Sequence, residues 1–173
     1  GTDGLVRVFD CETWQEVVTF ANHSNWVNDL AWSADGNRIV TGSKDHTAKV
    51  FDLTTNSRIS SYTGHDGGVY SVIFDETGDH VLSACSKGKV LYWRAESGQT
   101  VKELANQSES IYQIVALDSA EHFIFSGAMP SVEMIDLQSG KIGKEFIETE
   151  GNLDKETFFM NPIAFKIDSI KEI

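Results

Sequence analysis

Four stretches decide the fold: GTDGLVRVFD (Gly1–Asp10), TGSKDHTAKVFD (Thr41–Asp52), SACSKGKVLYWR (Ser83–Arg94) and FSGAMPSVEMID (Phe125–Asp136). Each ends in a large apolar residue followed by a polar one: Phe9-Asp10, Phe51-Asp52, Trp93-Arg94 and Ile135-Asp136. The last residues fall at 10, 52, 94 and 136, three equal steps of 42. A constant interval of this size marks a stack of structural repeats, each too small to bury its own apolar faces.

The segments between them repeat as well. One strand reads WVNDLAWS (Trp26–Ser33), then GVYSVIFD (Gly68–Asp75), then IYQIVALD (Ile111–Asp118). Trp32 and Phe74 keep the interval and Leu117 stands one residue further on, which is read as a one-residue slip in the third repeat. Tight turns follow at Asp35-Gly36, Thr77-Gly78 and, degraded, Ala120-Glu121; glycine supplies the positive φ that hairpin turns require. A second strand (RIVTGS, HVLSAC, FIFSGA), a third (TAKVFDL, KVLYWRA, SVEMIDL) and a fourth (EVVTF, SRISSY, TVKEL, KIGKEF) complete the unit. Short runs rich in Val, Ile, Phe and Tyr, punctuated by Gly, Asp, Asn and Ser, predict strands, and no stretch sustains helical periodicity. Each repeat is therefore four antiparallel strands, and neighbouring sheets must bury each other's faces, which predicts a propeller.

Composition narrows the function. The 173 residues carry 14 Lys+Arg against 26 Asp+Glu, a net charge of −12, with 40% hydrophobic residues. An acidic chain without clustered Lys and Arg argues against a nucleic-acid surface and against a polybasic membrane patch. No apolar run approaches the roughly 20 residues of a membrane span. The two cysteines, Cys11 and Cys85, cannot build a disulfide scaffold. The sequence leaves the compartment open; with no signal-like segment in view a cytoplasmic setting is favoured, and the sequons Asn22-His23-Ser24 and Asn106-Gln107-Ser108 are read as chance. The abrupt start at Gly1 in a strand-like run reads as a segment of a longer chain.

At this point the sequence resembles the WD-repeat β-propellers. His23, Asp45 and Phe51-Asp52 match the pattern of one repeat, with Phe for Trp. Gly64-His65 and Trp93 match the next, in which Lys87 replaces the turn Asp and Arg94 the last Asp. The third repeat has Ser108 in place of His and Ile135 in place of Trp, and the first begins late, with Asp3, Phe9 and Asp10. The division expected is a partial blade over 1–20, blades over 21–62 and 63–104, a degenerate blade over 105–147, and the start of another, or a tail, over 148–173. The strand-like MNPIAFKID (Met160–Asp168) falls in the last. The resemblance implies an arc of a larger, seven- or eight-bladed ring; the length by itself also allows a closed ring of about four blades.

Residues with catalytic composition have a structural explanation under this resemblance. His23, Ser43 and Asp45 could form a nucleophilic triad; the family places them in a buried hydrogen-bond network, with Thr41 as the alternative hydroxyl partner. His65, Ser83 and Trp93 are the next blade's equivalents, weakened by Lys87; Asp3 is the first blade's turn acid; the third blade is expected to have lost its network. His23, His46, His65, His80 and His122 show no metal-ligand spacing, so no metal, catalytic residue or cofactor is expected. Cys85 repeats Ser43 and is read as a small buried residue.

The remaining candidates lie on one rim. Trp26 and Ile111 are read as one repeat position, with Tyr70 nearby. The resemblance implies that this rim, with the turn holding Asp45, grips a protein or peptide through Asn25, Trp26, Asn28, Lys44, His46, Gly67, Tyr70, Ser86, Ser110 and Met129. Trp14, in an outer turn, has no such claim, and Glu145, Glu148, Glu150 and Asp154 read as a solvated acidic loop. The expectation is a non-enzymatic docking scaffold, able to self-associate through open propeller edges. The alternative is an accessory domain of a larger enzyme, redox or signalling protein.

Overall fold

The computed structural model describes residues 1–117, 122–128, 132–140 and 142–146. They form fourteen strands and no helix: β1 (Val6–Phe9), β2 (Glu16–Phe20), β3 (Val27–Trp32), β4 (Arg38–Ser43), β5 (Ala48–Asp52), β6 (Ser57–Tyr62), β7 (Val69–Phe74), β8 (His80–Cys85), β9 (Lys89–Arg94), β10 (Thr100–Asn106), β11 (Ile111–Ala116), β12 (His122–Gly127), β13 (Val132–Asp136) and β14 (Ile142–Phe146). The first two pair alone; the rest make three four-stranded sheets, β3-β4-β5-β6, β7-β8-β9-β10 and β11-β12-β13-β14. Every pairing is antiparallel between sequence neighbours.

The sheets lean face to face. One apolar cluster joins Val6 and Phe20 of the first sheet to Ile39 and Phe51 of the second. A second joins Val40, Val50 and Tyr62 to Val72, Phe74 and Trp93 of the third. A third joins Leu82, Val90 and Leu104 to Ile111, Phe123 and Ile135 of the fourth. This placement explains the burial patterns. β8, between two sheets, is buried at every position after His80, so Val81 faces one neighbour and Leu82 the other. The first strands gather on one side, β3 against β7 and β7 against β11.

The junctions repeat in detail. The Phe20 ring stacks on Phe51 with centroids 4.4 Å apart, and one repeat later Tyr62 stacks on Trp93 at 4.8 Å. Polar stitches join the first strands. Asp29 Oδ2 accepts hydrogen bonds from the Val72 N–H (2.9 Å) and the Ser71 hydroxyl (3.0 Å), and Ser71 Oγ accepts one from the Ile114 N–H (3.2 Å).

The structure corrects the third repeat. Ser33, Asp75 and Leu117 each donate a backbone N–H to the carbonyl five residues on, at Arg38, His80 and His122. Leu117 is thus the counterpart of Ser33 and Asp75, the interval holds, and there is no slip. The turn Ala120-Glu121 and the segment MNPIAFKID lie outside the described residues.

Candidate functional site

The rim beside β3 and β7 holds both groups of candidates. In the second sheet, His23 places Nδ1 2.9 Å from Asp45 Oδ2 and Nε2 2.8 Å from Thr41 Oγ1. Asp45 also accepts the Ser24 N–H (3.0 Å), the Thr47 N–H (3.0 Å) and the Thr47 hydroxyl (2.6 Å). Burial alone would raise its carboxyl; the hydrogen bonds from Thr47, His23 and Ser24 outweigh it and hold the group well below the usual carboxylate range. Burial lowers the His23 pKa, with Asp45 opposing, so the ring is neutral and its Nδ1–H points at Asp45. Nε2 then accepts the Thr41 O–H. Lys49 Nζ closes the cluster, donating to the Asn22 carbonyl.

Thr41, not Ser43, is therefore the hydroxyl of this network. Ser43 Oγ instead accepts the Asp45 N–H (3.1 Å) and donates to the Asn25 carbonyl (3.3 Å), which ties the turn to the loop ahead of β3. The repeat register carried the signal, because Thr41 stands one repeat before Ser83. Thr41 is wholly buried and the His23 side chain has no exposed surface, so no substrate reaches either as a nucleophile–base pair.

The third sheet keeps half of this arrangement. Ser83 Oγ lies 2.6 Å from His65 Nε2 and accepts the Trp93 indole N–H at 2.9 Å. Lys87 stands where Asp45 stands one repeat earlier, and His65 Nδ1 is buried without a partner. In the fourth sheet the counterpart of His23 and His65 is Gln107 rather than Ser108. Its amide donates to the buried Glu133 at 2.8 Å, so a two-residue substitute remains where no network was expected. Asp3 has no histidine partner; it is exposed and accepts from Arg7 (2.7 Å) and the Leu5 N–H (3.1 Å).

The rim candidates divide. Trp26 is 50% exposed, and Lys44 Nζ sits 4.7 Å from the centre of its ring. The Lys44 N–H donates to the Trp26 carbonyl at 2.8 Å, so the pair is fixed through the backbone. Asn25 and His46 are exposed beside it, and His46 holds a left-handed φ of 71° in the turn. Others are occupied inside the fold. Asn28 donates its side-chain amide to the Val69 carbonyl of the next sheet (2.8 Å) and Ser110 its hydroxyl to the Ser86 carbonyl (2.8 Å). Gly67 is buried against the Ser86 side chain, with no room for a Cβ. Met129 lies outside the described residues.

Ile111 is not the repeat partner of Trp26. It is wholly buried and pairs with Gly127 as Val27 pairs with Ser43 and Val69 with Cys85; the counterparts of Trp26 are Gly68 and Ser110. Tyr112 escaped sequence reasoning: it shares a register with Asn28 and Tyr70, and its ring lies 5.5 Å from that of Tyr70. Among the described residues, no three His, Cys, Asp or Glu side chains converge on a point where a metal could sit.

Residues 14–52 and 56–94 match the family described as WD domain, G-beta repeat. Those two stretches are WD40 repeats. Both matched units span one fourth strand and the next three, so the family unit is offset from the sheets but keeps their interval. A stretch of 47 residues is 40% identical to eukaryotic translation initiation factor 3 subunit I of Culex quinquefasciatus, covering 27% of this chain and 14% of that protein. These WD40 repeats form four-stranded sheets of propeller-blade type.

Proposed function

We propose that the chain is a non-catalytic platform for docking a protein or peptide, with Trp26, Lys44, Asn25 and His46 on its contact rim. The observation that carries this is the half-exposed Trp26 under the Lys44 ammonium. Aromatic anchors dominate interfaces when a partner desolvates them, and the cation–π pair orders this one in advance. The similar Culex protein is by name a subunit, a member of an assembly, which favours a protein partner. Affinity capture tests the reading with three versions of the chain. Trp26→Ala should lose about ten-fold in retention of proteins bound by the unaltered chain, while Trp14→Ala, which removes an exposed aromatic from an outer turn, should retain them. Equal retention by all three contradicts the reading.

A second reading concerns the sheet faces. Leu30 and Trp32 are 47% and 51% exposed, whereas their repeat counterparts Val72 and Phe74 are 3% and 6% exposed beneath the preceding sheet. Phe9 is likewise half exposed while Phe51, Trp93 and Ile135 are fully buried. Positions made for burial lie open on the first and second sheets, which supports an arc of a larger ring and self-association of the 173-residue chain. Light scattering at rising concentration should report species larger than 19.2 kDa; a monomer at every concentration contradicts this.

A further inference from the structure

We propose that His65 is an acid-triggered latch on the rim segment Gly64–Gly68, created by the absence of the carboxylate that its counterpart His23 retains. His65 is 5% exposed, and its ring is held through Nε2 alone. Ser83 Oγ accepts a hydrogen bond from the Trp93 indole N–H; with the Ser83 O–H donated to Nε2, the imidazole proton sits on Nδ1, the atom that faces no acceptor. In the second sheet the corresponding Nδ1 meets Asp45 at 2.9 Å.

A second proton on His65 would put a full charge in this site. The groups around it do not compensate. The Tyr62 ring meets the imidazole edge-on with centroids 5.5 Å apart. Asp66, the carboxylate that favours the charged form, is more than half exposed and engaged by Lys89 at 3.2 Å; Lys89 and His46 both oppose protonation. Burial, the largest influence, lowers the ring from an ordinary 6.5 to about 4. A folded-state value below the unfolded one means that the latch holds in full above pH 6.5 and loses strength as pH falls toward 4.

The same segment is threaded into the rim. The Gly68 carbonyl accepts the Ser86 N–H (2.9 Å), the Ser86 carbonyl accepts the Ser110 hydroxyl, and Gly67 packs on Ser86. Release of His65 therefore loosens the rim between the second and fourth sheets. Acid weakening of partner docking follows if the docking reading holds; the latch itself does not depend on it.

The test is amide hydrogen exchange of residues 65–68 and 86–88 between pH 7 and pH 5, corrected for intrinsic rates, in the unaltered chain and in Lys87→Asp. The unaltered chain should lose about twenty-fold in protection, the ratio set by a shift from 6.5 to about 4. Lys87→Asp, which restores the missing carboxylate, should lose clearly less than the unaltered chain. His65→Gln, which cannot take up a proton, should show no pH dependence in the segment. Protection that is independent of pH in the unaltered chain overturns the proposal, as does equal acid loss with Asp at position 87.

Discussion

Replacing Trp93 by alanine destabilises the chain by about 3–5 kcal/mol, the range for deleting a large aromatic from a closed core. Trp93 has no exposed surface. Its ring stacks on Tyr62 of the preceding sheet, and its indole N–H is spent on Ser83. Truncation opens a cavity at the junction of two sheets and strips Ser83 of a donor, so transfer, cavity and hydrogen-bond losses all act in the same direction. Denaturant unfolding of the variant beside the parent measures the difference. A change below about 1 kcal/mol would show that the ring is not held between sheets.

Asp45→Ala follows, at about 2–4 kcal/mol, because it leaves the His23 Nδ1–H, two backbone N–H groups and the Thr47 hydroxyl without their acceptor in a partly buried turn. Lys87→Ala, at the same repeat position one sheet later, changes stability by no more than about 0.5 kcal/mol, because the exposed Lys87 satisfies no buried donor there. The contrast holds the backbone position constant and varies only whether the side chain accepts buried hydrogen bonds. Equal losses in the two variants, measured by thermal or denaturant unfolding, would sink the network as a source of stability.

Much of this architecture was legible because the repeat interval survives every substitution. A sheet that must pack on its neighbour admits only large apolar groups at the junction, so Phe51, Trp93 and Ile135 announce themselves whatever their identity. Residue type alone misled where register decided. Ser43 looked like the network hydroxyl by composition, but Thr41 has the register of Ser83 and the geometry. Gln107, and not its neighbour Ser108, falls one repeat after His65.

The stitch from Asp29 to Ser71 and Val72 was hidden for a different reason. It joins residues one repeat apart, and a carboxylate on an exposed-looking strand gives no sign that a neighbour's N–H will meet it. Trp14 stands in an outer turn whose backbone asks for a small residue. It holds a left-handed φ of 56°, at the repeat position filled by Asn56, Gly98 and Gly140, all with positive φ. A bulky residue is strained there, and the Trp14 N–H closes the turn on the Asp10 carbonyl at 2.9 Å, as Gly98 does on Arg94.

The central claim, sheets leaning on one another at a single repeat interval, is tested most directly by proton–proton NOEs between aromatic rings. The account predicts contacts of Phe20 with Phe51 and of Tyr62 with Trp93, two pairs related by one repeat, with centroids at 4.4 and 4.8 Å. Absence of both contacts in the folded chain would contradict it.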